Sequence, residues 1–245
     1  MNMWGFNIVD LVIIAILLLS VISGMYKGLL TSALTTLGFG AAFFGARAFY
    51  PELSHAIQTN SSLMNVLAYY LGASDLFKTV GLAERAVAGA AQNGLLAQAV
   101  NDLKLSRLPD AIIKAFQANV DKQLFSGKGL DSLADYLNQT IFGAAINVIS
   151  FLVLFIVAYL LVMLIVNLLN SVFHFPLLKH FDWLLGGAFG LIRGVIIVSL
   201  VLAVVPLAIS VINIDVINQM IRTSQLAGYF PQEFAVADII AKAFQ

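Results

Sequence analysis

The chain of 245 residues has no cysteine, 3 histidines, 5 prolines and only 13 acidic and 13 basic side chains. The missing cysteines exclude disulfide frameworks, thiolate zinc sites, iron–sulfur clusters and cysteine nucleophiles. Charged residues make up 11% of the chain, against about 25% in an ordinary soluble domain. That is too little polar surface for a water-soluble globule of this length, whose buried fraction is only about 70–75%. The formal net charge is zero, with no basic stripe for a polyanion, so nucleic acid is not an expected partner. The zinc-protease motif His-Glu-x-x-His, the nucleophile elbow Gly-x-Ser-x-Gly and the phosphate-binding Gly-x4-Gly-Lys-Ser/Thr are all missing, which leaves little for hydrolysis or ATP chemistry. What is abundant is apolar: 60% of residues are hydrophobic and mean hydropathy is +0.94. An integral membrane protein is the class that remains.

The positions of the few charges organise the chain. Asp10 is the only charge before Lys27, and none lies between Lys27 and Arg47. From Glu52 to Asp135 there are 15, then none over the 43 residues from Tyr136 to Leu178. After Lys179, Asp182 and Arg193 comes another charge-free run, Gly194–Ile214. A bilayer core about 30 Å thick takes roughly 20 apolar residues as a helix. The gaps therefore predict an all-α polytopic membrane protein with about four spans: Phe6–Ser23, Leu29–Phe49, Ile141–Leu169 and one within Trp183–Ile212. The first segment has Asp10 before it and its first lysine after it, unlike a signal peptide with its positive leader, and reads as a span.

Four regions follow: 1–50 with the first two spans, 51–140 as a helical loop, 141–214 with the last two spans, and 215–245 as an amphipathic tail. The short loops that carry Lys27 and Lys179 are the basic ones, so the positive-inside rule puts them in the cytoplasm and both termini and the 51–140 loop outside. Trp4, Tyr50 and Trp183 fall at span ends, where amphipathic rings favour the interface. Within the loop, Pro109-Asp110 followed by Ile112, Ile113, Phe116 and Val120 predicts an amphipathic helix. Ala83–Val100 has helical spacing too. The loop reads as two to four helices packed on themselves and on the spans, with interfacial helices or a partner-binding cap as the alternative.

Small residues recur every four positions: Ser20, Gly24 and Gly28; Gly28, Ser32, Thr36 and Gly40; and Gly186, Gly190 and Gly194. On helices these make smooth ridges for close backbone approach, either within the chain or between copies in a homo-oligomer. The patterns Asp10…Gly24-x-x-Lys27-Gly28 and Asp182…Gly190-x-x-Arg193-Gly194 are alike, which hints at an internal repeat. Arg193 falls about 15 Å along a helix begun at Trp183, close to mid-membrane, where a charge is costly. An interfacial helix over 177–193, with the true span starting at Gly194, would make it a boundary residue like Lys27. A polar pathway or a buried ion pair are the alternatives. His174, His180 and Asp182 match no metal-ligand spacing, and no metal or cofactor is expected. Asn147, Asn167 and Asn170 flank the third span as helix-end or interhelix partners.

Asn7-Ile8-Val9-Asp10-Leu11 leading to Ser23-Gly24-Met25-Tyr26-Lys27-Gly28, and Phe181-Asp182-Trp183-Leu184-Leu185-Gly186-Gly187-Ala188-Phe189-Gly190-Leu191-Ile192-Arg193-Gly194, resemble the colicin V production protein (CvpA) family. Asn167 also matches a family position. The resemblance covers residues 6–50 and 141–212, leaving the long loop as an insertion. Where the family often has a base and then an acid after the first motif, this chain has Thr31-Ser32, so a charge pair in that loop is not expected. The resemblance implies a multi-span protein of the bacterial inner membrane, needed for production or export of a peptide toxin and tied to envelope homeostasis. Some relatives carry an extracytoplasmic protease domain after the fourth span, in keeping with an outside C-terminus. It marks Asp10, Gly24, Lys27, Gly28, Asp182, Gly186, Gly190, Arg193 and Gly194 as motif residues. Three functions are compatible: a non-enzymatic accessory that docks a secretion or envelope protein, a small channel or transporter, and a membrane-embedded enzyme, for which no nucleophile–base pair is evident.

Overall fold

The computed structural model describes residues 6–60, 76–90, 93–106, 108, 110–126, 129–172, 181–212, 220–221 and 223–230, the side chains of 170–172 and 206–212 excepted. Among them it contains five α-helices: α1 (Ile8–Gln58), α2 (Leu95–Leu105), α3 (Asp110–Asp121), α4 (Leu133–Val172) and α5 (Asp182–Ile212). A 3-10 turn follows at Ala227–Tyr229. The structure is all-α among the described residues, with a single isolated bridge between Ala86 and Ser132. Three helices are long and apolar enough to cross a membrane, within Ile8–Gln58, Leu133–Leu169 and Asp182–Val205.

The first of these is two helices joined at Gly28. There φ is 75° and ψ 175°, a conformation that is essentially glycine-only. Gly24 and Ser32, on opposite sides of the break, both meet Gly186. Eight residues of straight helix would separate them by about 12 Å, so the chain doubles back at Gly28. The first arm (8–27) and the second (29–58) form a helical hairpin. The second arm does not stop at the expected Phe49. It continues through Pro51 to Gln58.

Two compact units make up the structure. The first lies within Met1–Tyr50, Phe151–Pro206 and Ile214–Ala235. Its α4 portion turns Phe151, Phe155, Tyr159 and Val166 inward, with Phe151–Phe155 and Phe155–Tyr159 stacked and Phe39 edge-on to Phe155 at 5.0 Å. The opposite face, with Val153, Ile156, Val157, Leu160, Leu161, Leu164, Ile165 and Leu168, is exposed. Such an apolar face is what lipid covers. Asn167 is exposed on it. Tyr50 is buried rather than interfacial, Trp183 is exposed, and Trp4 lies outside the described residues.

The second unit lies within Pro51–Ser150, Leu207–Asn213 and Val236–Gln245. Here α2 and α3 pack together around Phe77, Leu103, Ile112, Phe116, Val120, Leu133 and Tyr136, all buried. The helix expected from Asp110 is α3. The one expected over Ala83–Val100 is displaced to α2: Gly89 and Gly94 adopt left-handed φ of 78° and 71°. Residues before them spend their backbone bonds elsewhere, Val87 donating to Asp131 and Ala134 to Ala83. α4 begins eight residues before the expected Ile141. Ser132 caps it, its hydroxyl accepting from the Asp135 N–H at 3.1 Å while its own backbone N–H donates to the Asp135 carboxylate at 3.2 Å, a capping box. Asn147, placed at a span end by the sequence, accepts a hydrogen bond from Ser54.

Candidate functional site

Most of the motif residues come together in a clasp of the two α1 arms around the start of α5. Along the first arm, Ser20, Gly24 and Gly28 face Gly194, Gly190 and Gly186 in antiparallel order. The fit is backbone on backbone. A methyl at Gly24 would strike the Gly186 carbonyl and come within 2.9 Å of the Gly190 Cα, and one at Gly190 would strike the Ser20 carbonyl. The ridges expected from the four-residue spacing therefore cover each other within one chain. Lipid gives helices no hydrophobic reason to associate, so close packing and interhelical hydrogen bonds do that work. The second-arm ridge ends sooner than its spacing suggests, since a methyl placed on Gly40 would meet nothing within 4 Å.

Hydroxyls reinforce the clasp from both arms. Ser20 Oγ donates to the Gly190 carbonyl at 2.7 Å, Ser32 Oγ to that of Gly186 at 2.9 Å and Thr36 Oγ1 to that of Phe189 at 3.1 Å. At the apex, Asp182 opens α5 and also accepts the Leu29 N–H at 2.7 Å. It thereby caps the second arm from another helix, where carboxylates are favoured by the exposed N–H groups. A methyl at Gly28 would collide with the Asp182 carboxylate, so Gly28 is needed both for its backbone angle and for this cap.

Arg193 sits inside the clasp. α5 runs unbroken past it, so a span starting afresh at Gly194 gives way to one helix from Asp182; residues 177–180 of the interfacial alternative lie outside the described residues. The side chain is 5% exposed. Its Nε donates to Ser20 Oγ at 3.4 Å, Nη1 to Thr35 Oγ1 at 3.5 Å and Nη2 to Ser23 Oγ at 3.4 Å. All three partners are neutral and at the long end of hydrogen bonding. A central arginine costs about 2.5–3.5 kcal/mol on insertion scales, and these hydroxyls offset only part of that. Lys27 is partly buried near the apex.

Asp10 is not part of this cluster. Buried to 0% exposure, it forms a reciprocal cap with Asn7: the Asn7 N–H donates to Asp10 at 2.9 Å, and Asn7 Oδ1 accepts from the N–H groups of Val9 and Asp10. Its other oxygen accepts from Ser224 Oγ at 2.6 Å and the Leu226 N–H at 2.9 Å. Beside it, Ile221 and Ala227 pack on Ile13, Val198 and Leu202. Asp10 thus fastens part of the C-terminal segment to the first arm, and the two look-alike motifs do different jobs. Thr35 and Ser224 were not singled out by the sequence, and Ser23 stood there only as a span end and as one letter of the motif block. The available signal was hydroxyls interrupting apolar helices at Ser20, Ser23, Ser32, Thr35 and Thr36. His174 and His180 lie outside the described residues.

No curated protein and no solved structure matches the chain. The family model described as Colicin V production protein matches residues 9–100 and 124–233. That is wider than the motif-based resemblance: the match takes in 51–100 and 124–140, and only 101–123 of the long loop stands outside it. Matching that model over most of its length, the chain belongs to the colicin V production protein family of membrane proteins.

Proposed function

We propose that the protein is a multi-pass component of the bacterial inner membrane that supports production or export of a peptide toxin, and envelope homeostasis, without catalysing a reaction. The family match is the observation that carries this reading. The clasp supports a structural role, because its glycines, hydroxyls and Asp182 are engaged in holding helices together. The two arms of α1 cross separately, giving four crossings with α4 and α5. Both termini and the 51–140 region lie outside the cytoplasm, where that region docks a secretion or envelope protein. Co-purification from cells making the toxin should recover such a partner, and deletion of 51–140 should lose it together with extracellular toxin. An unchanged partner set and toxin titre would overturn the docking role.

Orientation is checked in this cysteine-free chain by single cysteines at exposed positions. Tyr26, beside the apex and 94% exposed, should resist an impermeant maleimide in intact spheroplasts when replaced by Cys. Cysteines at Val80 and Tyr229, both exposed, should react. The reverse pattern would invert the topology. The burial of Arg193 among hydroxyls favours a second reading, a small channel or transporter. Arg193→Leu should then alter solute flux into proteoliposomes, and flux equal to that of empty vesicles would remove it.

A further inference from the structure

A guanidinium has five N–H donors and stays protonated at any physiological pH. Arg193 therefore cannot shed its charge as a buried lysine can. Its partners Ser20, Ser23 and Thr35 carry no charge, and no carboxylate is among them. Two of the hydroxyls are already committed as donors, Ser20 to the Gly190 carbonyl at 2.7 Å and Thr35 to that of Ser32 at 3.0 Å. The motif carboxylate Asp182 is eleven residues away along α5 and takes the Leu29 N–H. The guanidinium is thus held away from water with, among the described residues, only neutral groups bonded to it. Removing a charge from water without a counter-charge is strongly unfavourable.

We propose that Arg193, with the uncommitted Ser23 hydroxyl, binds a small inorganic anion of halide size. Size follows from the walls. Gly24 against Gly186 and Gly190, and Ser32 against Gly186, are contacts of backbone on backbone or hydroxyl on backbone, so a lipid headgroup or organic acid would have to prise the helices apart. A monatomic ion needs only a small displacement of the Ser23 hydroxyl, which already sits 3.4 Å from the guanidinium. The proposal is independent of transport, because occupancy and flux are separate measurements.

The test uses the full chain in a non-ionic detergent, with the chloride-35 NMR line width as readout. The wild type should show a saturable excess width that bromide displaces and gluconate does not. Ser23→Ala leaves the Ser20–Gly190, Thr35–Ser32 and Ser32–Gly186 bonds in place and should weaken chloride binding about tenfold, the value of one hydrogen bond to a charged group. Arg193→Gln should abolish it, and Arg193→Lys should retain part. Far-UV circular dichroism and monodispersity establish which variants are folded, and if Arg193→Gln is not, Ser23→Ala decides. A wild type with no excess width, or widths unchanged in the folded variants, would overturn the site. Displacement by phosphate or an organic carboxylate as effective as by bromide would overturn the assigned size.

Discussion

The two compact units solve the packing problem in opposite ways. The second fills its interior with large side chains, Phe116, Leu103, Ile112, Leu133 and Tyr136 among them, and gains by removing apolar area from water. The clasp in the first unit gains by leaving side chains out. Gly24, Gly186 and Gly190 let backbones touch, and short hydroxyls bond to carbonyls of the neighbouring helix. Water-driven burial rewards bulk, whereas lipid rewards close fit and polar satisfaction. The same methyl group should therefore have opposite consequences in the two places.

Substitutions can sharpen or break that contrast, with hydrogen exchange of the full chain reading each unit separately. The largest effect is expected from Phe116→Ala, which empties the centre of the second unit and should cost it about 3–5 kcal/mol. Protection of amides in α2 and α3 should collapse, while protection along 182–200 persists. Next comes Gly190→Ala, where one added carbon meets the Ser20 carbonyl. A cost of about 1–3 kcal/mol is expected, confined to the first arm and α5; a stabilised protein would show that the ridges do not touch. Asp182→Ala removes the cap on the second arm and should cost about 0.5–2 kcal/mol, seen as faster exchange at Leu29 and its neighbours. Smallest is Gly40→Ala, in open space on the same arm. It should raise stability by up to about 1 kcal/mol through helix propensity, and a loss there would mean that this face is covered.

Much of this was legible because it is local. Charge-free runs locate helices, since a chain that cannot pair its backbone with water in a bilayer must pair it internally. The interval between Ser23 and Leu29 locates the reversal, though not that Gly28 alone executes it. The start of α3 at Asp110 was readable from its proline and apolar spacing. The Ala83–Val100 helix misled because alanine and leucine favour helix, while Gly89, Gly94 and pairing to 131–134 overrule them. The end of the second arm at Gln58 was hidden by Pro51, which a helix tolerates at a modest number of places.

Sequence periodicity alone determined that small residues at four-residue spacing make ridges and that apolar runs this long form helices. Which ridge meets which is not in the periodicity, because partners such as Gly24 and Gly190, or Asp10 and Ser224, are far apart along the chain. Only the tertiary structure decided that Asp10 and Asp182, alike in their motifs, cap different segments. It also decided that Arg193 lies buried among hydroxyls rather than at a helix end. The cost of a charge depends on what surrounds it, and those surroundings come from two other helical arms.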